Sequence, residues 1–142
     1  MQLFVKYHNP NIDKLEKREN GDWIDLRAAE TATLKAGESR LISLGVSIRL
    51  PEGYEAHVAP RSSTFRTWGI LQTNSVGVVD ESYCGDDDIW KFPVLAVRDT
   101  VIHENDRICQ FRILKKMPHF SIEEVSTLGG KNRGGFGSTG KA

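Results

Sequence analysis

Leu44, Val46, Ile48 and Leu50 alternate with Gly45, Ser47 and Arg49. A period of two puts the apolar set on one face of an extended strand and is incompatible with a helix, whose faces repeat every ~3.6 residues. Pro51-Glu52-Gly53 then turns the chain, and Tyr54, Ala56 and Val58 alternate with Glu55 and His57, which reads as a partner strand. Similar patterning predicts strands over Gln2–Tyr7, Trp23–Ala28, Ile70–Val79, Ile89–Val97, Arg107–Leu114 and Phe120–Val125. Pro93 inside one of these predicts an edge strand or a bulge, because proline cannot donate to a ladder. Helical patterning is confined to Ser63–Trp68 and Asn11–Glu19, both short, and no internal repeat is visible. Many short strands between turn residues imply an all-β chain, a distorted jelly-roll barrel or sandwich with one short helix.

At 142 residues the chain makes one domain, able to bury roughly two-thirds of its unfolded surface. Its 19 basic and 19 acidic side chains cancel, so no overall field draws nucleic acid or an anionic membrane, and any anion site must be local. No apolar run approaches the ~20 residues that cross a bilayer, and MQLFVKYHNP lacks a signal-peptide pattern. A cytoplasmic protein is expected, with Cys84 and Cys109 reduced. Four scattered histidines and two cysteines offer no zinc-ligand spacing.

Six of the 13 glycines lie between Gly129 and Gly140. With little apolar surface to bury, residues 129–142 are expected to be a flexible segment appended to a β domain of residues 1–128. Glycines let backbone N–H groups approach a ligand, and Ser138 and Thr139 add hydroxyls. Arg133 supplies a guanidinium fork suited to phosphate, and Phe136 a flat face suited to a ring. The segment reads either as a frayed tail or as a lid over a molecule with both a base and phosphates. Gly135–Lys141 imitates a P-loop, but Ala142 stands where that motif needs Ser or Thr to hold magnesium.

Four further polar segments interrupt the strands. Asp25 places a carboxylate inside an apolar strand. In Pro60-Arg61-Ser62-Ser63, two hydroxyls follow an arginine at a helix start; this is an anion cradle, or Ser62 is an N-cap and Arg61 a solvated charge. Asp80 ends an apolar strand before Tyr83 and Gly85, either as a general base toward water or as the cap of a turn. Gln110 breaks the alternation of its strand, as an edge residue or a positioned hydrogen-bonder.

The order of these segments resembles one family. Pro60–Ser63 (PRSS), Gly77–Gly85 (GVVDESYCG), Asp106–Gln110 (DRICQ) and Arg133–Gly140 (RGGFGSTG) are similar to motifs two to five of the trimeric deoxyuridine triphosphate nucleotidohydrolases (dUTPases), and Asp25–Ala28 (DLRA) to the core of their first. The resemblance implies Mg²⁺-assisted hydrolysis of dUTP to dUMP and pyrophosphate, which keeps uracil out of DNA and supplies dUMP for thymidylate. It implies a homotrimer of jelly rolls with active sites shared between subunits. Asp80 would deprotonate the water that attacks the α-phosphorus, and Asp25 would hold the water shell of the metal. Arg61, Ser62, Ser63 and Gln110 would grip the phosphates, with Arg133, Gly137, Ser138 and Thr139 closing over them. Asn74, Gly77, Val78 and Val79 would form a hairpin matching uracil, Tyr83 would exclude a ribose 2′-hydroxyl, and Phe136 would stack on the base.

Two departures from the family pattern stand out. The first-motif aspartate lacks the usual Ala-Gly ahead of it, which leaves Asp22 as an alternative to Asp25. The acidic run Asp86-Asp87-Asp88 is a solvated turn, a wall of the pocket, or a surface for a regulatory protein. Two rival functions follow: dCTP deamination on the same fold, and a nucleotide-gated interaction module.

Overall fold

A computed structural model describes residues 1–137 and residue 140. Its strands are β1 (Phe4–Tyr7), β2 (Ile24–Arg27), β3 (Ala32–Leu34), β4 (Ser39–Ser43), β5 (Val46–Arg49), β6 (Tyr54–Pro60), β7 (Ile70–Gln72), β8 (Gly77–Val79), β9 (Lys91–Ala96), β10 (Thr100–Ile102) and β11 (Arg107–Lys115), with one helix, α1 (Thr64–Trp68). All pairings are antiparallel and form four sheets, β1-β5, β10-β3, β2-β11-β6-β8 and β4-β9-β7. None closes on itself, which makes a distorted jelly roll.

Alternation dictates the core. Ala56 and Val58 of β6 and Phe111 of β11 face inward with Ile42 of β4, Phe92 and Val94 of β9 and Ile70 of β7, in one cluster that draws on all four sheets. Each large side chain so buried contributes about 1.5–3 kcal/mol. Trp90, just before β9, meets Phe111 edge to face, with ring centroids 5.1 Å apart and planes at 79°. The other face of β2-β11-β6-β8 stays open, and it carries Asp25, Gln110 and Ala59 side by side.

Several sequence expectations are corrected. Pro51-Glu52-Gly53 does turn the chain, with the Tyr54 N–H donating to Pro51 O (3.2 Å). It moves the chain from one sheet to another, because β5 pairs with β1 while β6 pairs with β11 and β8. The polar face of β5 is covered as well as the apolar one, since Ser47 is buried, its hydroxyl donating to Asp86 O (3.1 Å) and meeting His8 Nε2 (2.9 Å). Ile70–Val79 is two strands, split where Ser75 takes a positive φ of 59°. β7 and β8 lie in different sheets, so the expected uracil hairpin is a tight loop between sheets.

Pro93 sits in the middle strand of its sheet, opposite Leu41, without a bulge. Its carbonyl accepts from Thr73 N, just past the end of β7. Its missing N–H therefore faces the side on which the neighbouring strand stops. Asn11–Glu19 is not helical, because its amides bond outward: Asp13 N to Asn105 Oδ1 and Leu15 N to the Tyr7 hydroxyl, both 2.8 Å. Phe120–Val125 forms no strand, since its alternating side chains find nothing to pair with in a single chain. The short strands β3, β4 and β10 escape the sequence reading. Cys84 and Cys109 are both free, and no helix among the described residues is long and apolar enough to cross a membrane.

Candidate active site

On the open sheet face, Asp25 of β2 lies directly opposite Gln110 of β11. Asp25 Oδ1 pairs with Arg61 Nε at 3.0 Å, and its Oδ2 with Arg107 Nη1 at 3.4 Å. Gln110 Nε2 donates to Pro60 O (3.1 Å), tying β11 to the end of β6 where Arg61, Ser62 and Ser63 follow. Two guanidiniums around one carboxylate leave a local positive excess on a chain of zero net charge. That suits an anion. Asp22, the alternative, lies before β2 and pairs with Arg112 instead (3.1 Å). Asp25, and not Asp22, is the carboxylate that faces Arg61.

Ser62 is exposed, and the N-cap of α1 is Ser63, whose side chain makes no capping bond. Both hydroxyls are thus uncommitted to the helix. What holds this segment is Thr64, which sequence reasoning missed. Its buried Oγ1 accepts from Arg61 N (2.8 Å) and donates to Ile108 O (2.9 Å). At the far end, Gly69 closes α1 at φ 63°, and Arg98 Nη2 caps the carbonyls of Arg66 (2.9 Å) and Thr67 (3.1 Å). Arg98 lies so close that a Cβ on Gly69 would meet its Cγ at 2.7 Å. Arg107 was also missed; it stands where the ladder between β11 and β2 shifts register, a bulge that re-aims a side chain. Beside it, burial and then the charge of Asp25 push the Cys109 thiol well above its ordinary range, which makes it a core residue and not a nucleophile.

A second group of residues lines a cavity of about 420 Å³, among them Asn74, Gly77, Val78, Val79, Asp80 and Tyr83, with Ser82 and Trp90. The size suits a nucleoside. Asp80 Oδ2 accepts from Ser82 Oγ (2.5 Å) and Ser82 N (2.8 Å). The Ser82 hydroxyl, then its amide, and then Lys116 hold the Asp80 carboxyl below the usual aspartate range. Asp80 does cap a turn, then, yet its carboxylate remains exposed at the cavity rim. On the other side of that turn, a hollow of about 850 Å³ is lined by Arg49, Glu81 and Lys116. The Tyr83 hydroxyl donates to Ile89 O (3.1 Å). Beyond it, Gly85 N donates to Asp88 Oδ2 (2.8 Å) and Asp88 N to Gly85 O (3.1 Å), so the acidic run is a closed turn anchored over Ser47.

The two groups do not meet within one chain. Asp25 on β2 and Val78 on β8 stand three strand spacings apart, about 14 Å at ~4.8 Å each. Neither cavity at Asp80 is lined by Asp25, Arg61 or Gln110. Arg133 and Phe136 are exposed, and the described hydrogen bonds of residues 129–140 reach no further than Thr127, two residues before the segment. Ser138 and Thr139 lie outside the described residues. Among the described residues, no group of three or more His, Cys, Asp or Glu side chains could hold a metal by itself.

The dUTPase family model matches residues 13–140. The chain is 58% identical, over 99% of both lengths, to an SPbeta prophage-derived deoxyuridine 5′-triphosphate nucleotidohydrolase of Bacillus subtilis. A mutant dUTPase of phage 80alpha, studied for the link between enzymatic activity and SaPI-inducing capacity, superposes with a TM-score of 0.80 at 20% identity, over 96% of this chain and 98% of that one. A mutant dUTPase from phage phi11 of S. aureus, in which coordination of a structural Mg(II) ion is described, has a TM-score of 0.78 at 18% identity, over 90% and 99%.

Proposed function

The chain belongs to the dUTPase family, and from that premise we propose that its open sheet face and its nucleoside cavity are two halves of one site, completed between subunits. The enzyme is a dUTP diphosphatase that releases dUMP and pyrophosphate. On our reading, Asp80 takes a proton from a water while that water's oxygen bonds to the α-phosphorus. The bond from that phosphorus to the bridging oxygen breaks, and pyrophosphate leaves. Arg61, Ser62, Ser63 and Gln110 grip the phosphate chain from the sheet face, where guanidiniums meet the charge growing on the leaving group. Asn74, Gly77, Val78 and Val79 select the base, and Tyr83 lies against the sugar.

The sheet face offers one carboxylate among cations, with no multi-carboxylate cage among the described residues. That donor set fits Mg²⁺ arriving with the triphosphate, whose water shell Asp25 would hold. When bound, the ion would neutralise phosphate charge. Residues 129–142 are the lid, with Arg133, Gly137, Ser138 and Thr139 toward the phosphates and Phe136 over the base.

One observation carries the shared site: the ~14 Å between Asp25 and β8. The exposed apolar side chains Met117, Phe120, Ile122 and Leu128, on a segment with no strand of its own, support assembly as a homotrimer. The reaction itself is tested by supplying dUTP and dCTP and following pyrophosphate and ammonia separately. Pyrophosphate from dUTP alone is expected; ammonia from dCTP would mean a deaminase. Asp80→Asn should still bind dUTP while turnover falls at least ~10²-fold, and near-normal turnover removes Asp80 from its role.

A further inference from the structure

An asparagine amide facing a pyrimidine is ambiguous. Its oxygen accepts from the N3–H of uracil, whereas its nitrogen, after a half-turn, donates to the bare N3 of cytosine. Base choice therefore depends on whatever fixes that half-turn. Gln72, the last residue of β7, lies beside Asn74. Its Nε2 donates to Val58 O of β6 (3.0 Å), joining two sheets beneath the loop. Its Oε1 is fully buried and lacks a donor among the described residues. Both amides crowd the same glycine: a Cβ on Gly77 would lie 3.4 Å from Gln72 Nε2 and 3.6 Å from Asn74 Nδ2. A buried carbonyl oxygen without a donor is costly, and here an amide donor stands close by.

We infer that Gln72 is a positioning residue for base choice, whose Oε1 accepts from Asn74 Nδ2 in the substrate-bound enzyme and so leaves Asn74 Oδ1 turned to the uracil N3–H. Cytosine then meets an acceptor with an acceptor and is refused. The inference rests on the proposed role of Asn74 in the uracil site. Gln72 itself does not touch the substrate.

The test is a double-mutant cycle on the full-length enzyme, with Gln72→Met, Asn74→Ala and the pair, reading kcat and KM for dUTP and dCTP. Gln72→Met should raise KM for dUTP about tenfold with kcat nearly unchanged, and lower the dUTP-to-dCTP preference by ~10–100-fold. Added to Asn74→Ala it should do little more, since the two act as one unit. Gln72→Glu keeps the acceptor while giving up the donor to Val58, and should retain the preference within about threefold. If Gln72→Met fails to fold, Gln72→Glu alone decides: a lost preference overturns the inference. Additive effects of Gln72→Met and Asn74→Ala also overturn it. If Asn74→Ala leaves KM and preference untouched, the assignment of Asn74 to the base has failed instead.

Discussion

In the proposed mechanism, Asp80 answers two demands that pull in opposite directions. A base should hold a proton willingly, yet it must be ionised whenever substrate arrives, and Ser82 settles the matter toward ionisation. With hydroxyl and amide both donating to Oδ2, the carboxylate lies below the ordinary aspartate value of about 3.9. Its role leans on holding the water in line as much as on basicity. The active form is the carboxylate, so activity is present above its pKa and lost as pH falls through it. Ser82→Ala removes the hydroxyl donor, which lowers the Asp80 pKa most, and lets it rise. The acid limb of kcat/KM should therefore move to higher pH in Ser82→Ala than in the parent, measured as a difference so that ionisation of dUTP cancels. An unmoved limb would show that another group sets it. The place of Asp80 was legible in the sequence because it ends an apolar strand near Tyr83. Arg107 was not, because its partner Asp25 is 82 residues away.

At the scale of elements, alternation made β2, β6, β9 and β11 readable, since each presents a regular inner face to one core. What failed was pairing. Nothing local says that the strands flanking Pro51–Gly53 or Asn74–Ser75 belong to different sheets. The proposed anion-binding segment, Pro60–Ser63, shows the same limit: the five-residue helix after it is too short to organise anything by itself, and its anchor is a Thr64 bond to Ile108, 44 residues away. Thr64→Val keeps the shape of the side chain while orphaning the Arg61 N–H and the Ile108 carbonyl. It should destabilise the protein by about 1–3 kcal/mol and raise KM for dUTP on the order of tenfold, about 1.4 kcal/mol, as Arg61 loses its fixed approach. Thermal unfolding and steady-state kinetics check the two halves; an unchanged KM would detach Arg61 from substrate. The proposed lid behaves differently, because none of its described residues joins the core. Deleting Gly129–Ala142 should leave unfolding unchanged and lower kcat/KM at least ~10²-fold, and a fully active truncation removes the lid from the mechanism.

For the whole molecule, the chain reads as complete in chemistry and incomplete in geometry. Each half of the proposed site is built, with Arg61 and Gln110 pinned on one side and Asp80 and Tyr83 on the other, yet about 14 Å of sheet separates Asp25 from β8. The alternating apolar residues at Phe120–Val125 fit the same pattern: a strand-like sequence without a strand is expected where the pairing surface belongs to another copy. Complementation tests this directly. Arg61→Ala spoils only the phosphate half and Asp80→Asn only the nucleoside half, so either variant alone should be nearly inactive. Co-expressed in equal amounts and purified by two different tags, they should regain about a third of the parental rate, because every mixed trimer has one of its three sites drawing each intact half from the proper neighbour. If each chain instead closed a site on itself, every site in the mixture would carry one lesion and no activity would return.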